Sequence, residues 1–251
     1  MDLFEILKIS TDCYLCGCQI VKPKNQSIQI KQAQAPIICT DCHQRLPISQ
    51  TACVTCGLPL NLVSTNDEIR ESSIVCGECL KNSPPYNRTV SAFHYEAPIS
   101  EFITQLKFSS QFQLLPLLCD YLIDKISESY CHAELPEAII PVPLHSKKLI
   151  QRGFNQSQLI ADRIARALAL QVIDKGIQRI KMTNAQSDLD SIERKSNVKG
   201  AFQIDCELPK HIAIVDDVVT TGMTVSELAN QARQQGAKKI DVWCVARAYD
   251  L

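Results

Sequence analysis

The chain has 251 residues, 45% of them hydrophobic and 21% charged, an ordinary globular profile with room for one large or two small domains. A formal net charge of −1 excludes a global positive field that would gather nucleic acid, and no apolar run approaches the length that spans a bilayer. The opening residues Met1, Asp2, Leu3, Phe4 and Glu5 form no basic n-region, so a cytoplasmic protein without a membrane span is expected.

Eight of the thirteen cysteines fall into four C-x-x-C knuckles, Cys13/Cys16, Cys39/Cys42, Cys53/Cys56 and Cys76/Cys79. A tight turn lets two such cysteines present both sulfurs to one tetrahedral ion, and two knuckles close a four-thiolate shell. Sequential pairing gives one zinc on Cys13, Cys16, Cys39 and Cys42 and a second on Cys53, Cys56, Cys76 and Cys79; interleaved pairing stays open. Disulfides suit a secreted chain, and a lone redox dithiol does not account for four knuckles. Cys18 and His43 sit beside ligands and read as spectators that could substitute. Cys119, Cys131, Cys206 and Cys244 have no partner spacing and read as core or surface residues.

Metal binding supplies folding free energy, so a knuckle domain needs little apolar core. Residues 1–85 fit that description, with a polar stretch at 64–73 expected as a loop and Pro84-Pro85 as the boundary to a second domain, 86–251. After it, 90–95 reads as a strand, and Pro98 as the first residue of a helix carrying Ile99, Phe102, Ile103 and Leu106 at core spacing. Lys107 in that helix reads as solvent-facing, with a reach to phosphates as the alternative.

Residues 138–144 form an apolar strand followed by His145-Ser146-Lys147-Lys148. Gly153 then suits a turn, Asn155 or Ser157 an N-cap, and Ile160, Ala161, Ile164, Ala165 and Leu168 one face of an amphipathic helix. Between a strand at 177–183 and Phe202 the polar segment 184–198 lacks periodicity, as a lid or a disordered stretch would. Charge is uneven as well: residues 141–200 hold eleven Lys or Arg against five Asp or Glu, either a solvated surface or a face for a polyanion.

Residues 212–224 read I-A-I-V-D-D-V-V-T-T-G-M-T. The β-branched run suits a strand buried on both faces of a parallel sheet, and ligands of open α/β sheets bind where such strands end. Asp216 and Asp217 would emerge there. Thr220, Thr221 and Thr224 offer hydroxyls, Gly222 lets the backbone come close, and a helix starting near Thr224 would turn free amides toward an anion. Thr224-Val225-Ser226-Glu227 fits a capping box, with the helix running to about Gln235, Gly236 as its C′ residue and a strand at 240–245.

That string resembles the diphosphosugar signature of type I phosphoribosyltransferases. The resemblance implies an α/β, Rossmann-like, mainly parallel sheet preceded by a small four-cysteine zinc-ribbon domain. It also implies binding of phosphoribosyl pyrophosphate with magnesium. Asp216 and Asp217 would hold the ribose hydroxyls, Val218, Thr220, Thr221, Gly222, Met223 and Thr224 the 5′-phosphate, and His145, Lys147, Lys148 and Arg152 the pyrophosphate. The catalytic group itself is not legible; Asp216, Asp217 and Arg194 are the candidates. The R-G-F-N-Q element at 152–156, L-K-F at 106–108, the knuckles, and Gln186, Leu189, Arg194 and Asn197 in the lid resemble the ComF family, known for DNA uptake and DNA utilisation. Single-stranded DNA and DNA-uptake or helicase proteins are the partners this implies. A donor-sensing regulator without chemistry and a nucleobase phosphoribosyltransferase are the alternatives; no acceptor site is legible.

Overall fold

The computed structural model describes residues 12–20, 37–60, 74–182 and 198–249. The expected loop at 64–73 and the polar segment 184–197, with Arg194, Gln186, Leu189 and Asn197, lie outside these residues.

In chain order the described elements are α1 (Thr40–Gln44), α2 (Gly77–Lys81), β1 (Arg88–His94), α3 (Ile99–Ser109), α4 (Leu114–Ser129), β2 (Ala138–Pro141), α5 (Ser146–Arg152), α6 (Gln156–Leu168), β3 (Gln171–Val172), β4 (Ile177–Arg179), β5 (Phe202–Ile204), β6 (His211–Val219), α7 (Met223–Gln234) and β7 (Lys239–Arg247). Five strands form a parallel sheet in the order β1-β7-β6-β2-β3, while β4 and β5 make a separate antiparallel pair. The fold is α/β, as expected.

Alternation along the central strands divides the core in two, because successive side chains of a strand point to opposite faces. Ile139, Ala213, Val215, Trp243 and Val245 pack with residues of α3, α4 and α6. Ile140, Ile212, Ile214, Val242 and Cys244 pack with α7 and the β4–β5 pair. Both faces being covered, the strands read as continuous apolar runs. At the start of β7, buried Asp241 accepts from Tyr130 at 2.6 Å and lies 2.7 Å from His211 Nε2.

The cysteine segments repeat one another. Cys13 N donates to Cys18 O at 2.7 Å and Gly17 N to Cys13 O at 2.8 Å; Cys53 N donates to Leu58 O and Gly57 N to Cys53 O, both at 2.8 Å. Gly17 and Gly57 both have φ 70, a left-handed conformation that side-chain-bearing residues resist. One turn geometry is thus used twice, with Cys18 standing where the second copy has Leu58.

Both copies are built onto the main fold. Cys13, Ile38 and Leu46 join the core beneath α3 and α4. His94 N donates to Pro47 O at 2.8 Å, Ser49 N to Ala92 O at 2.9 Å and Thr89 N to Val54 O at 2.9 Å, so the knuckle segments cover the free edge of β1. An uncovered edge would present its unpaired backbone groups to other chains.

Three expectations are corrected. Strand β6 runs to Val219, past the pair of aspartates, because its ladder with the long β7 continues to Val219 opposite Arg247. No capping box forms at α7: Gly222, at φ 77, is the N-cap with no side-chain bond, and Glu227 accepts instead from Gly200 N at 2.8 Å. Pro98 is the N-cap of α3 and not its first helical residue.

Candidate functional site

Asp216 and Asp217 sit near the carboxyl end of β6, and two segments remote in sequence converge on them. Ser157, the second residue of α6, donates its hydroxyl to Asp216 Oδ1 at 2.9 Å, and Asp217 N reaches the same oxygen at 2.9 Å. Lys107, from α3, places Nζ 2.7 Å from Asp217 Oδ2, while Val218 N donates to Asp217 Oδ1 at 2.9 Å. Lys107 is therefore neither turned out to solvent nor free to lie along a phosphate, the two readings of the sequence; an opposite charge holds it inward at a partly exposed position.

Burial, and then the Asp217 charge, push the Asp216 carboxyl up to about 7. Burial pulls the Lys107 ammonium down, but Asp217 outweighs it and the group ends above its ordinary value.

The segment from His145 to Ser157 forms one wall. His145 caps α5, its Nδ1 accepting from Lys147 N at 3.2 Å. Gly153, at φ 81, ends that helix, and Asn155 caps α6 while donating to Val142 O at 3.0 Å, which ties the turn to the end of β2. Arg152 donates to Gln156 Oε1 at 2.7 Å, and its guanidinium lies 5.4 Å from the centroid of the Phe108 ring. Gln156 is buried, and its Nε2 has no hydrogen-bond partner among the described residues.

Arg179, at the end of β4, is the cation that sequence reading missed. Its backbone bridges to His145, and its guanidinium stands 5.4 Å from the centre of the Phe202 ring. Burial lowers Arg179, with Asp216 opposing; burial and then the charges of Arg179, Arg152 and Lys107 lower Lys148. Lys148 and Arg152 thus share α5, Arg179 adjoins the His145 cap of that helix, and Lys107 meets Asp217. A cleft of about 870 Å³ opens beside them, lined in part by His145, Phe154, Asn155, Leu159 and Arg179.

On the other side, Asp216, Val218, Thr220, Gly222, Met223 and Thr224 line a small hollow at the start of α7. A Cβ at Gly222 would lie 3.0 Å from the Tyr86 hydroxyl, so the glycine allows both the left-handed turn and the close approach. Thr220 and Thr221 are exposed. The loop is braced by buried Arg247, which donates to Cys56 O at 2.8 Å, to Val219 O at 3.0 Å and to the carbonyls of Thr220 and Ala248. A single guanidinium thereby links the third knuckle, Cys53/Cys56, to the loop.

The cysteines form two compact sulfur clusters, each able to hold a metal ion. Cys53, Cys56, Cys76 and Cys79 have sulfurs all within 4.8 Å of one another. In the first cluster the set within that distance is Cys13, Cys16, Cys18 and Cys39. Cys42 adjoins it: burial and then the thiols of Cys39, Cys16 and Cys13 raise its pKa. Cys18 stands within that set, its sulfur 3.2 Å from that of Cys16. His43 is engaged elsewhere, its Nε2 hydrogen-bonded to the Tyr121 hydroxyl. Two sets of thiols in sequential order fit the tetrahedral, soft-ligand demand of zinc.

An α/β protein with a covered parallel sheet, paired acidic residues at the end of a central strand and two cysteine clusters is the class so defined. No family model matches the chain. It is 37% identical over 215 residues to the DNA utilization protein YhgH of Shigella flexneri, covering 84% of this chain and 90% of that one. It is 34% identical over 217 residues to competence protein F of Haemophilus influenzae, with the same coverage. The chain belongs to the family of these proteins, the ComF family. Among solved structures it is similar to a purine phosphoribosyltransferase from Pyrococcus horikoshii, at 20% identity over 53% of this chain and 72% of that one, with a TM-score of 0.34.

Proposed function

We propose that the protein binds phosphoribosyl pyrophosphate with magnesium at the end of β6 and acts in the handling of single-stranded DNA during DNA uptake or utilisation. The observation that carries this reading is the juxtaposition of two carboxylates, an amide-rich hollow at a helix start and four cations within one site. Asp216 and Asp217 would accept from the ribose hydroxyls. The amides at the start of α7, with the Thr220 and Thr221 hydroxyls, would hold the 5′-phosphate. Lys148, Arg152 and Arg179, with Lys147 and His145 of the same wall, would face the pyrophosphate, and magnesium would arrive with it and neutralise part of its charge.

Transfer from such a donor breaks the bond between the anomeric carbon and pyrophosphate, forms one to an acceptor and releases pyrophosphate. The residues of this chain contribute binding, orientation and charge to that step. Two zinc ions, one on each cysteine cluster, would serve as structural members of the fold. The names of the relatives supply the DNA context for the proposal, and the local basic excess at 141–200 supports a polyanionic ligand.

Isothermal titration of the full chain with the donor and magnesium, with and without single-stranded DNA, tests the reading. Saturable donor binding accompanied by pyrophosphate release upholds a transferase. Saturable binding without turnover identifies a donor sensor, and no binding in either condition overturns the donor reading.

A further inference from the structure

Helix α3 buries Ile99, Phe102, Ile103 and Leu106 along one stripe, and Phe108 lies off that stripe with 74% of its surface exposed. Phe112, a few residues on, is 46% exposed and sets its ring edge-on to Phe154 at 4.9 Å between centroids. Leaving two phenyl rings in water forgoes apolar burial, which packing within the chain would ordinarily recover.

Their surroundings are cationic. The Arg152 guanidinium covers one side of Phe108, and Lys107, the adjacent residue on the helix, points to Asp217. Lys148 lies on the same helix as Arg152, and Arg179 joins that wall through its backbone bridge to His145. A ligand suited to this surface carries negative charge at short intervals together with flat aromatic faces. Single-stranded nucleic acid has both, whereas a duplex keeps its base faces stacked inside.

We propose that Phe108 and Phe112, backed by Arg152 and Phe154, form a platform on which bases of single-stranded DNA stack beside the carboxylate pair. The inference rests on the reading of this protein as one that handles single-stranded DNA, and it specifies where the strand lies. A phosphate of the strand meets Arg152 from the Phe108 side, in competition with the pyrophosphate of the donor, and an unstacked base meets the exposed face of Phe108.

Fluorescence anisotropy of a labelled oligothymidylate with the full chain tests the placement, alongside a duplex of equal length and a titration of salt. Phe108→Ala and Phe112→Ala should each weaken binding of the single strand by about 5- to 100-fold. Phe108→Trp should keep the affinity because an indole still stacks, and Phe108→Leu, apolar but without a π-face, should lose it. Unchanged thermal unfolding of the variants assigns the loss to the contact. Equal affinity of Phe108→Leu and wild type overturns stacking on this ring, and equal affinity for duplex and single strand overturns the platform. A chain that binds the donor but no oligothymidylate overturns this inference and leaves the donor reading intact. Binding through Phe108 without donor binding upholds the inference and overturns the donor reading.

Discussion

Lys107 Nζ and Asp217 Oδ2 stand 2.7 Å apart, joining the last turn of α3 to the end of β6 across 110 positions of sequence. The Lys107 side chain is 28% and that of Asp217 11% exposed, so water screens the pair only in part. Removing one partner leaves the other charge poorly solvated.

Lys107→Met should therefore destabilise the protein by roughly 1–3 kcal/mol, less than the loss of a fully buried pair. Adding Asp217→Asn should recover part of that loss. Urea denaturation of both variants at neutral pH checks this, and equal midpoints for wild type and Lys107→Met would show that the pair contributes nothing.

The elevated Asp216 carboxyl sets a pH dependence of stability. Its folded value of about 7 lies above the ordinary carboxylate value of 3.8, so between those limits the folded protein keeps a proton that the unfolded chain has released. Stability contributed by this group is complete below pH 4 and falls as pH rises toward 7. Asp216→Asn should flatten that part of the profile and raise the melting temperature at pH 7.5 relative to wild type. Thermal scans across pH 4 to 8 that are parallel for the two proteins would refute it.

Donor affinity should follow the opposite trend, since ribose hydroxyls donate best to an ionised acceptor. With a carboxyl titrating at about 7, binding at pH 6 should be roughly tenfold weaker than at pH 8. Replacing both Asp216 and Asp217 by Asn should weaken binding at pH 8 by at least about tenfold, each charge-assisted bond being worth about 1.5–3 kcal/mol. Thr221→Val should cost less, because the amides at the helix start remain. Calorimetry that finds the double Asn variant equal to wild type would reduce the pair to a structural turn.

Metal content should expose the inequality between the two cysteine units. Purified protein should carry close to two zinc ions, one for each of the two sulfur clusters. Cys79→Ser should lose one of them, because Leu58 offers no replacement ligand. Cys42→Ser should retain both, since Cys18 lies 3.2 Å from Cys16 and can complete the shell. Elemental analysis giving the same loss for both variants would refute the substitution. A Cys53→Ser and Cys56→Ser double change should open the second unit to trypsin.

Much of the site was legible because its parts are consecutive. Asp216, Asp217 and the loop to Thr224 follow one strand, and the cysteines announce themselves by spacing. Lys107, Ser157 and Arg179 gave no such signal: packing of α3 and α6 on the sheet brings the first two to the carboxylates, and the bridge of β4 to His145 sets the third on the neighbouring wall. The capping box at Thr224 was misleading because a local pattern cannot weigh Gly222 as an alternative cap, nor know that Gly200 would bring an amide to Glu227. Cys18 looked incidental in sequence, and only the duplicated turn shows it to be the odd member of a repeat.

Arg247 accounts for a constraint that reaches beyond the ligand. Arg247 is 4% exposed and has Cys56 O as one of its acceptors, so the carbonyl of a knuckle residue helps to satisfy a cation buried beneath the 220–224 loop. If the turn of the second cysteine unit came apart, Arg247 Nε would lose this acceptor while the carbonyls of Val219, Thr220 and Ala248 stayed in place. The fold of the second cysteine unit and the set of the 220–224 loop are thus joined through one side chain, so loosening the first would be felt at the second.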